Sequence, residues 1–169
     1  MESHVQGKTQ LIKGFCGSRF ELESSPTLDF LSYEKDIVIN NIKYTLLLWD
    51  TSGKEKFRSH NKSLLEVSNI FILVYDITRK DTFYNIYLWN DEIKDMEEDA
   101  IIGFVGTHLD LFGKREVETK FAENFADSIG AKFIEKYGNK NKKNRNNNIF
   151  PKKPLKEFIK NSLLKFYKY

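Results

Sequence analysis

Hydrophobic residues along this chain fall into two kinds of pattern. Ile37-Val38-Ile39 and the run from Tyr44 to Trp49 flank Asn40-Asn41. Asparagine tolerates the positive φ that a two-residue turn demands, so a β-hairpin is predicted there. Ile70 to Tyr75 and Ile101 to Val105 are continuous apolar runs bounded by polar residues, as strands buried on both faces of a parallel sheet would be. Elsewhere the spacing turns helical. Phe83, Ile86, Trp89 and Ile93 recur at one-turn intervals behind Asp81-Thr82, a candidate capping pair. A second helix is predicted over roughly 116–129, with Phe121, Phe125 and Ala126 inward and Gly130 as its stop. Ala131 to Glu135 reads as a short strand. Leu155, Phe158, Ile159, Leu163 and Phe166 make a C-terminal helix over 154–168, with Pro154 in its first turn. Strands alternating with helices predict an α/β fold with crossover helices.

Composition adds bounds to this picture. A chain of 169 residues suits one domain, 1–169. Aromatic content of 14% argues against a largely disordered chain. Cys16 is the single cysteine, so no intrachain disulfide forms and a reducing, cytoplasmic setting is expected. The polar start Met1-Glu2-Ser3-His4 does not read as a secretory signal. The longest apolar run is far too short to cross a bilayer.

Charge is unevenly spread. The net charge is +3, yet residues 136–169 carry 11 Lys/Arg against the single acid Glu157, while the preceding residues carry 16 basic and 23 acidic groups. Part of this basic segment, 139–151, is a low-complexity Asn/Lys-rich stretch expected to be a loop. A solvated lysine-rich helix after a polar loop accounts for this charge. A contact with nucleic acid or an anionic membrane surface is the alternative account; no nucleic-acid partner is expected, and at most a weak electrostatic membrane contact.

Three short segments carry candidate chemistry. Gly7-Lys8-Thr9 opens a helical pattern containing Leu11, Ile12 and Phe15. That is the end of a phosphate-binding loop, in which backbone N–H groups and a lysine hold phosphates and a hydroxyl ligates Mg²⁺. The full pattern has a further glycine five residues earlier, where this chain has Glu2. Asp50-Thr51-Ser52-Gly53 follows a predicted strand, so Asp50 stands where a metal-holding aspartate belongs. Thr107-His108-Leu109-Asp110 follows another strand at its carboxyl end.

Taken together, these segments resemble the Ras superfamily of small GTPases, most closely the Rab branch. Thr27 lies 18 residues after Thr9, the family's interval from the phosphate-loop hydroxyl to the switch I threonine. Trp49 to Phe57 is similar to the switch II signature, Thr82 to Ile86 with Trp89 to the third helix, and Phe125 to Gly130 to the fourth. Val105 to Asp110 resembles the guanine-specificity motif. The resemblance implies a three-layer P-loop G domain with a mostly parallel sheet, and GTP/GDP with Mg²⁺ as ligands. It places the nucleotide on Val5, Gln6, Gly7, Lys8, Thr9, Phe20, Thr27, Asp50, Gly53, Thr107, His108, Asp110 and Gly138. Thr9, Thr27 and Asp50 would hold the metal. Effector and exchange proteins would bind through 20–30 and 51–65, on endomembrane surfaces in vesicle traffic.

The chain departs from the family pattern in four ways. The family's first strand precedes the phosphate loop and lies between the strands placed here at 42–49 and 70–75. Here the chain starts inside that loop, so the strand is expected to be missing. Its neighbours would then pair differently or take a partner's strand, or the chain is a truncated copy. Lys54 stands at the position of the catalytic glutamine; an ammonium donates hydrogen bonds but accepts none, so slow hydrolysis is expected. Thr107-His108 replaces Asn-Lys, and Tyr137-Gly138-Asn139 replaces Ser-Ala-Lys, with the Gly138 N–H still able to meet the base. The chain ends Phe166-Tyr167-Lys168-Tyr169, without the cysteines that Rab proteins prenylate. A second reading is a pseudo-GTPase binding module that keeps the shape but not the cycle.

Overall fold

The computed structural model describes residues 7–17, 30–51, 63–135 and 152–166. The chain divides into two compact units, residues 1–67 and 68–169.

In the first unit, helix α1 (Lys8–Cys16) packs on a hairpin of β1 (Phe30–Ile39) and β2 (Ile42–Thr51). The strands pair antiparallel from Phe30↔Thr51 to Ile39↔Ile42. Asn40 and Asn41 form the turn at φ 50° and 64°, the left-handed pair that matches the twist of a hairpin. Both strands run well beyond their predicted apolar cores. In β1 the inward positions, Tyr33, Lys35, Ile37 and Ile39, alternate with exposed ones. A lysine in that inward row masks the period-2 signal. Its Nζ donates to the Cys16 carbonyl at 3.2 Å, and so binds the end of α1 where the helix dipole favours a cation.

The second unit is a parallel sheet with helices on both faces. Its order is β3 (Ile70–Asp76), β4 (Ile101–Thr107), β5 (Lys132–Ile134). Helices α2 (Lys80–Met96) and α3 (Thr119–Ser128) meet the sheet through aromatic rings. Phe104 on β4 lies 5.8 Å from Phe83 on α2 and 5.6 Å from Phe125 on α3, ring centre to ring centre. Gly103 precedes Phe104 and so faces the other way. There a Cβ would stand 2.9 Å from Phe158 of α4 (Lys152–Phe166), which sets α4 on the opposite face. The resulting helix–sheet–helix layering is the α/β arrangement expected from the apolar pattern.

Two local expectations are corrected. Asp81-Thr82 does not cap α2, whose N-cap is Arg79. Thr82 lies inside the first turn, buried, where its hydroxyl accepts from Asp76 N–H at 3.0 Å and donates to the Arg79 carbonyl at 2.8 Å. Phe121 is not inward but 50% exposed. The inward stripe of α3 is Ala122, Phe125 and Ala126, which leaves Phe121 on its margin. Gly130 ends α3 as predicted, at φ 69°, with Ala131 N–H donating to the Ala126 carbonyl at 2.8 Å.

The five strands form two sheets, and no described strand pairs with the second edge of β2 or of β3. The position that the sequence reading leaves empty, a strand ahead of Gly7, lies outside the described residues.

Candidate functional site

The first unit gathers the phosphate-loop residues. Gly7 immediately precedes α1 at φ 78°, a left-handed conformation that a side chain would oppose, and its carbonyl accepts from Leu11 N–H at 2.9 Å. Glycine offers no capping side chain and no acid occupies the first turn. The positive end of the helix dipole is therefore not neutralised by a carboxylate on α1 itself. Lys8 and Thr9 are the first two helical residues. Burial pushes the Lys8 amine below its ordinary value, and the Asp50 carboxylate opposes that shift. Asp50, at the carboxyl end of β2, is 1% exposed. The half-buried Lys8 ammonium at the start of α1 thus lies within electrostatic reach of the buried Asp50 carboxylate.

Among the described residues there is no group of three or more His, Cys, Asp or Glu side chains that would cage a metal alone. The donors present, the Thr9 hydroxyl and the Asp50 carboxylate, are hard oxygens suited to Mg²⁺, which takes few protein ligands and shares phosphate oxygens. The residues fit that ion.

In the second unit, the carboxyl ends of the strands carry a polar network. Thr107, 2% exposed, donates through Oγ1 to the Tyr75 carbonyl at 2.9 Å and lies 3.2 Å from His108 Nδ1. His108 adopts φ 59°, and Nδ1 stands 3.2 Å from Asp76 Oδ2. The other Asp76 oxygen accepts from Thr78 N–H at 2.8 Å and from its hydroxyl at 2.7 Å. Asp110 follows in the first turn of the 3₁₀ helix Leu109–Lys114, exposed, while Leu109 is buried beneath it. Arg115 pairs with Glu135 at 2.7 Å and also donates to the Val117 carbonyl at 2.9 Å. Tyr75 donates to the same Glu135 oxygen at 3.4 Å. Burial and the adjacent carboxylate push the Tyr75 hydroxyl well above its usual value, so it remains a donor.

Of the predicted site residues, the structure places Gly7, Lys8, Thr9 and Asp50 in the first unit and Thr107, His108 and Asp110 in the second. Val5, Gln6, Phe20, Thr27, Gly53, Lys54 and Gly138 lie outside the described residues. Sequence reasoning missed Asp76, Arg115 and Glu135. Asp76 carried a usable signal, an aspartate at the end of an apolar strand, the same signal that singled out Asp50. Arg115 and Glu135 had none, because a pair 20 residues apart has no local pattern.

A model of the Ras family matches residues 2–152. The chain belongs to the Ras family. Among its relatives are the human Ras-related protein Rab-31, 34% identical over 130 residues, and the human Ras-related protein Rab-21, 34% identical over 137 residues. These alignments cover 76% and 80% of this chain, but 67% of Rab-31 and 61% of Rab-21. It is thus a Rab-branch member of the Ras superfamily of small GTPases, a family that binds guanine nucleotide with Mg²⁺. No described helix is long and apolar enough to cross a membrane.

Proposed function

We propose that the chain is a divergent Rab-like guanine-nucleotide switch with slow GTP hydrolysis, acting in vesicle traffic. On this reading its two units are halves of one G domain, 1–169. The observation that carries the reading is the placement of half-buried Lys8, just after left-handed Gly7 at the start of α1, within electrostatic reach of buried Asp50. An ammonium held there against a desolvation penalty is matched to an anion that displaces water.

The remaining roles follow from chemistry. Val5, Gln6 and Gly7 offer backbone N–H groups to phosphates, and Lys8 offers its charge. Thr9, Thr27 and Asp50 would hold Mg²⁺, which when bound neutralises phosphate charge as the terminal bond breaks. Gly53 senses the terminal phosphate. Phe20, Thr107, His108, Asp110 and Gly138 recognise the base, with Asp110 accepting from its N–H groups. Effector and exchange proteins meet 20–30 and 51–65, from the cytoplasm or transiently on endomembranes.

Hydrolysis is the weak step. Lys54 has protons to donate to a phosphate oxygen but no lone pair with which to orient the attacking water. Single-turnover GTP hydrolysis tests this: Lys54→Gln should hydrolyse faster than the wild type, and equal rates defeat the assignment. Glu2 and Lys54 favour one second reading, a binding module that does not cycle, because a carboxylate in a phosphate loop repels its ligand. A Mg²⁺-dependent rise in melting temperature with GDP separates the two.

A further inference from the structure

Helices α2 and α3 share a surface that the nucleotide site does not use. Phe83, 1% exposed, is the hub of a ring cluster. Tyr84, Tyr87 and Phe121 surround it at 6.3, 6.0 and 5.3 Å between ring centres. The hub is buried, yet these three neighbours are 58%, 40% and 50% exposed, and Leu88, one turn beyond Tyr84, is 47% exposed. Half-exposed side chains of this size leave on the order of 300–400 Å² of contiguous apolar surface. That is as large as the largest patch on a typical monomer, and such patches mark interaction sites.

The surroundings indicate what covers it. The exposed stripe of α2 continues from Tyr87 and Leu88 through Asp91 and Asp95, both exposed, at helical spacing. Beyond them Glu97, Glu98 and Asp99 end the helix with exposed acids. These acids crowd the carboxyl end of α2, where the dipole is also negative.

We infer that the α2–α3 face docks a basic amphipathic helix of a partner protein, with its apolar side on Tyr84, Tyr87, Leu88 and Phe121 and its lysines or arginines against Asp91 and Asp95. Rings flanked by carboxylates suit such a helix twice over, because the tyrosine faces also attract cations. None of its residues is assigned to the nucleotide or belongs to 20–30 or 51–65, so the inference does not rest on the proposed switch.

The probe is a fluorescein-labelled helical peptide of Leu, Lys and Ala, about 18 residues or five turns long. A twin carries Glu for every Lys. Anisotropy titration should show the Lys peptide binding at least about tenfold more tightly than its twin. Tyr84→Ser combined with Phe121→Ser should weaken the Lys peptide by about tenfold, with the thermal transition retained because both rings are half exposed. Asp91→Lys with Asp95→Lys, at positions too exposed to disturb folding, should reverse the preference between the twins. Equal binding to the ring variant would overturn the inference in favour of unspecific charge attraction. Equal binding to the charge variant, or no binding to the wild type, would also overturn it. So would a ring-dependent dimer by light scattering, which would assign the face to a second copy.

Discussion

Removing the guanidinium of Arg115 should expose how the carboxyl end of the second unit is held. Arg115 and Glu135 meet at 2.7 Å with side chains 16% and 3% exposed. Their ion pair ties the loop after the 3₁₀ helix to the end of β5. Arg115→Ala leaves a nearly water-free carboxylate with only the Tyr75 hydroxyl, at 3.4 Å, as a named donor. Breaking a buried pair from one side costs about 3–5 kcal/mol. The partial exposure of Arg115 favours the lower end, about 3 kcal/mol. In a chain of this size each kcal/mol lowers Tm by roughly 2–4 °C, so thermal unfolding followed by circular dichroism should show a fall of roughly 6–12 °C.

Arg115→Met with Glu135→Met removes both charges and should recover most of the loss. A fall of under 2 °C in Arg115→Ala at neutral pH, or no recovery in the double variant, would refute the reasoning.

Other expectations are as direct. Asn41→Val should destabilise the hairpin by about 1–2 kcal/mol in chemical denaturation, because a β-branched residue resists φ 64°; Asn41→Gly should not. Gly103→Ala should cost about 1–3 kcal/mol, because its Cβ would stand 2.9 Å from Phe158 and 3.1 Å from Ile72. Asp36, with Lys43 at 2.7 Å and the Thr45 hydroxyl at 2.7 Å, is held below the usual carboxylate range. Its contribution is present above about pH 4 and lost as pH falls through the lowered folded value, so Asp36→Asn should flatten the acid limb of the Tm–pH profile. Asp50→Asn should abolish the Mg²⁺-dependent part of any GDP-induced thermal shift.

Much of the fold was legible because burial and period coincide. The continuous runs that became β3 and β4 are buried on both faces, so nothing polar interrupts them. The turn at Asn40-Asn41 was legible from the φ it requires. β1 was half hidden because Lys35 occupies an inward position and satisfies its charge on the end of α1. Phe121 misled because an aromatic at helical spacing reads as core, whereas its position on the rim is set by where α2 meets α3. The site divides likewise. Gly7, Lys8, Thr9 and Asp50 follow from motif chemistry attached to element ends. The contacts of His108 with Asp76 and of Arg115 with Glu135 depend on how loops from different strands come together, which no local pattern records.

The central claim is that this chain holds guanine nucleotide at Lys8 and Asp50. Its most direct test is the nucleotide content of the purified protein, released by heat and separated by ion-exchange chromatography. The account predicts stoichiometric GDP or GTP in the wild type, with GTP in excess if Lys54 slows hydrolysis, and none in Lys8→Ala. A folded wild-type chain that carries no nucleotide, and whose melting temperature is unmoved by GDP and Mg²⁺, would contradict it.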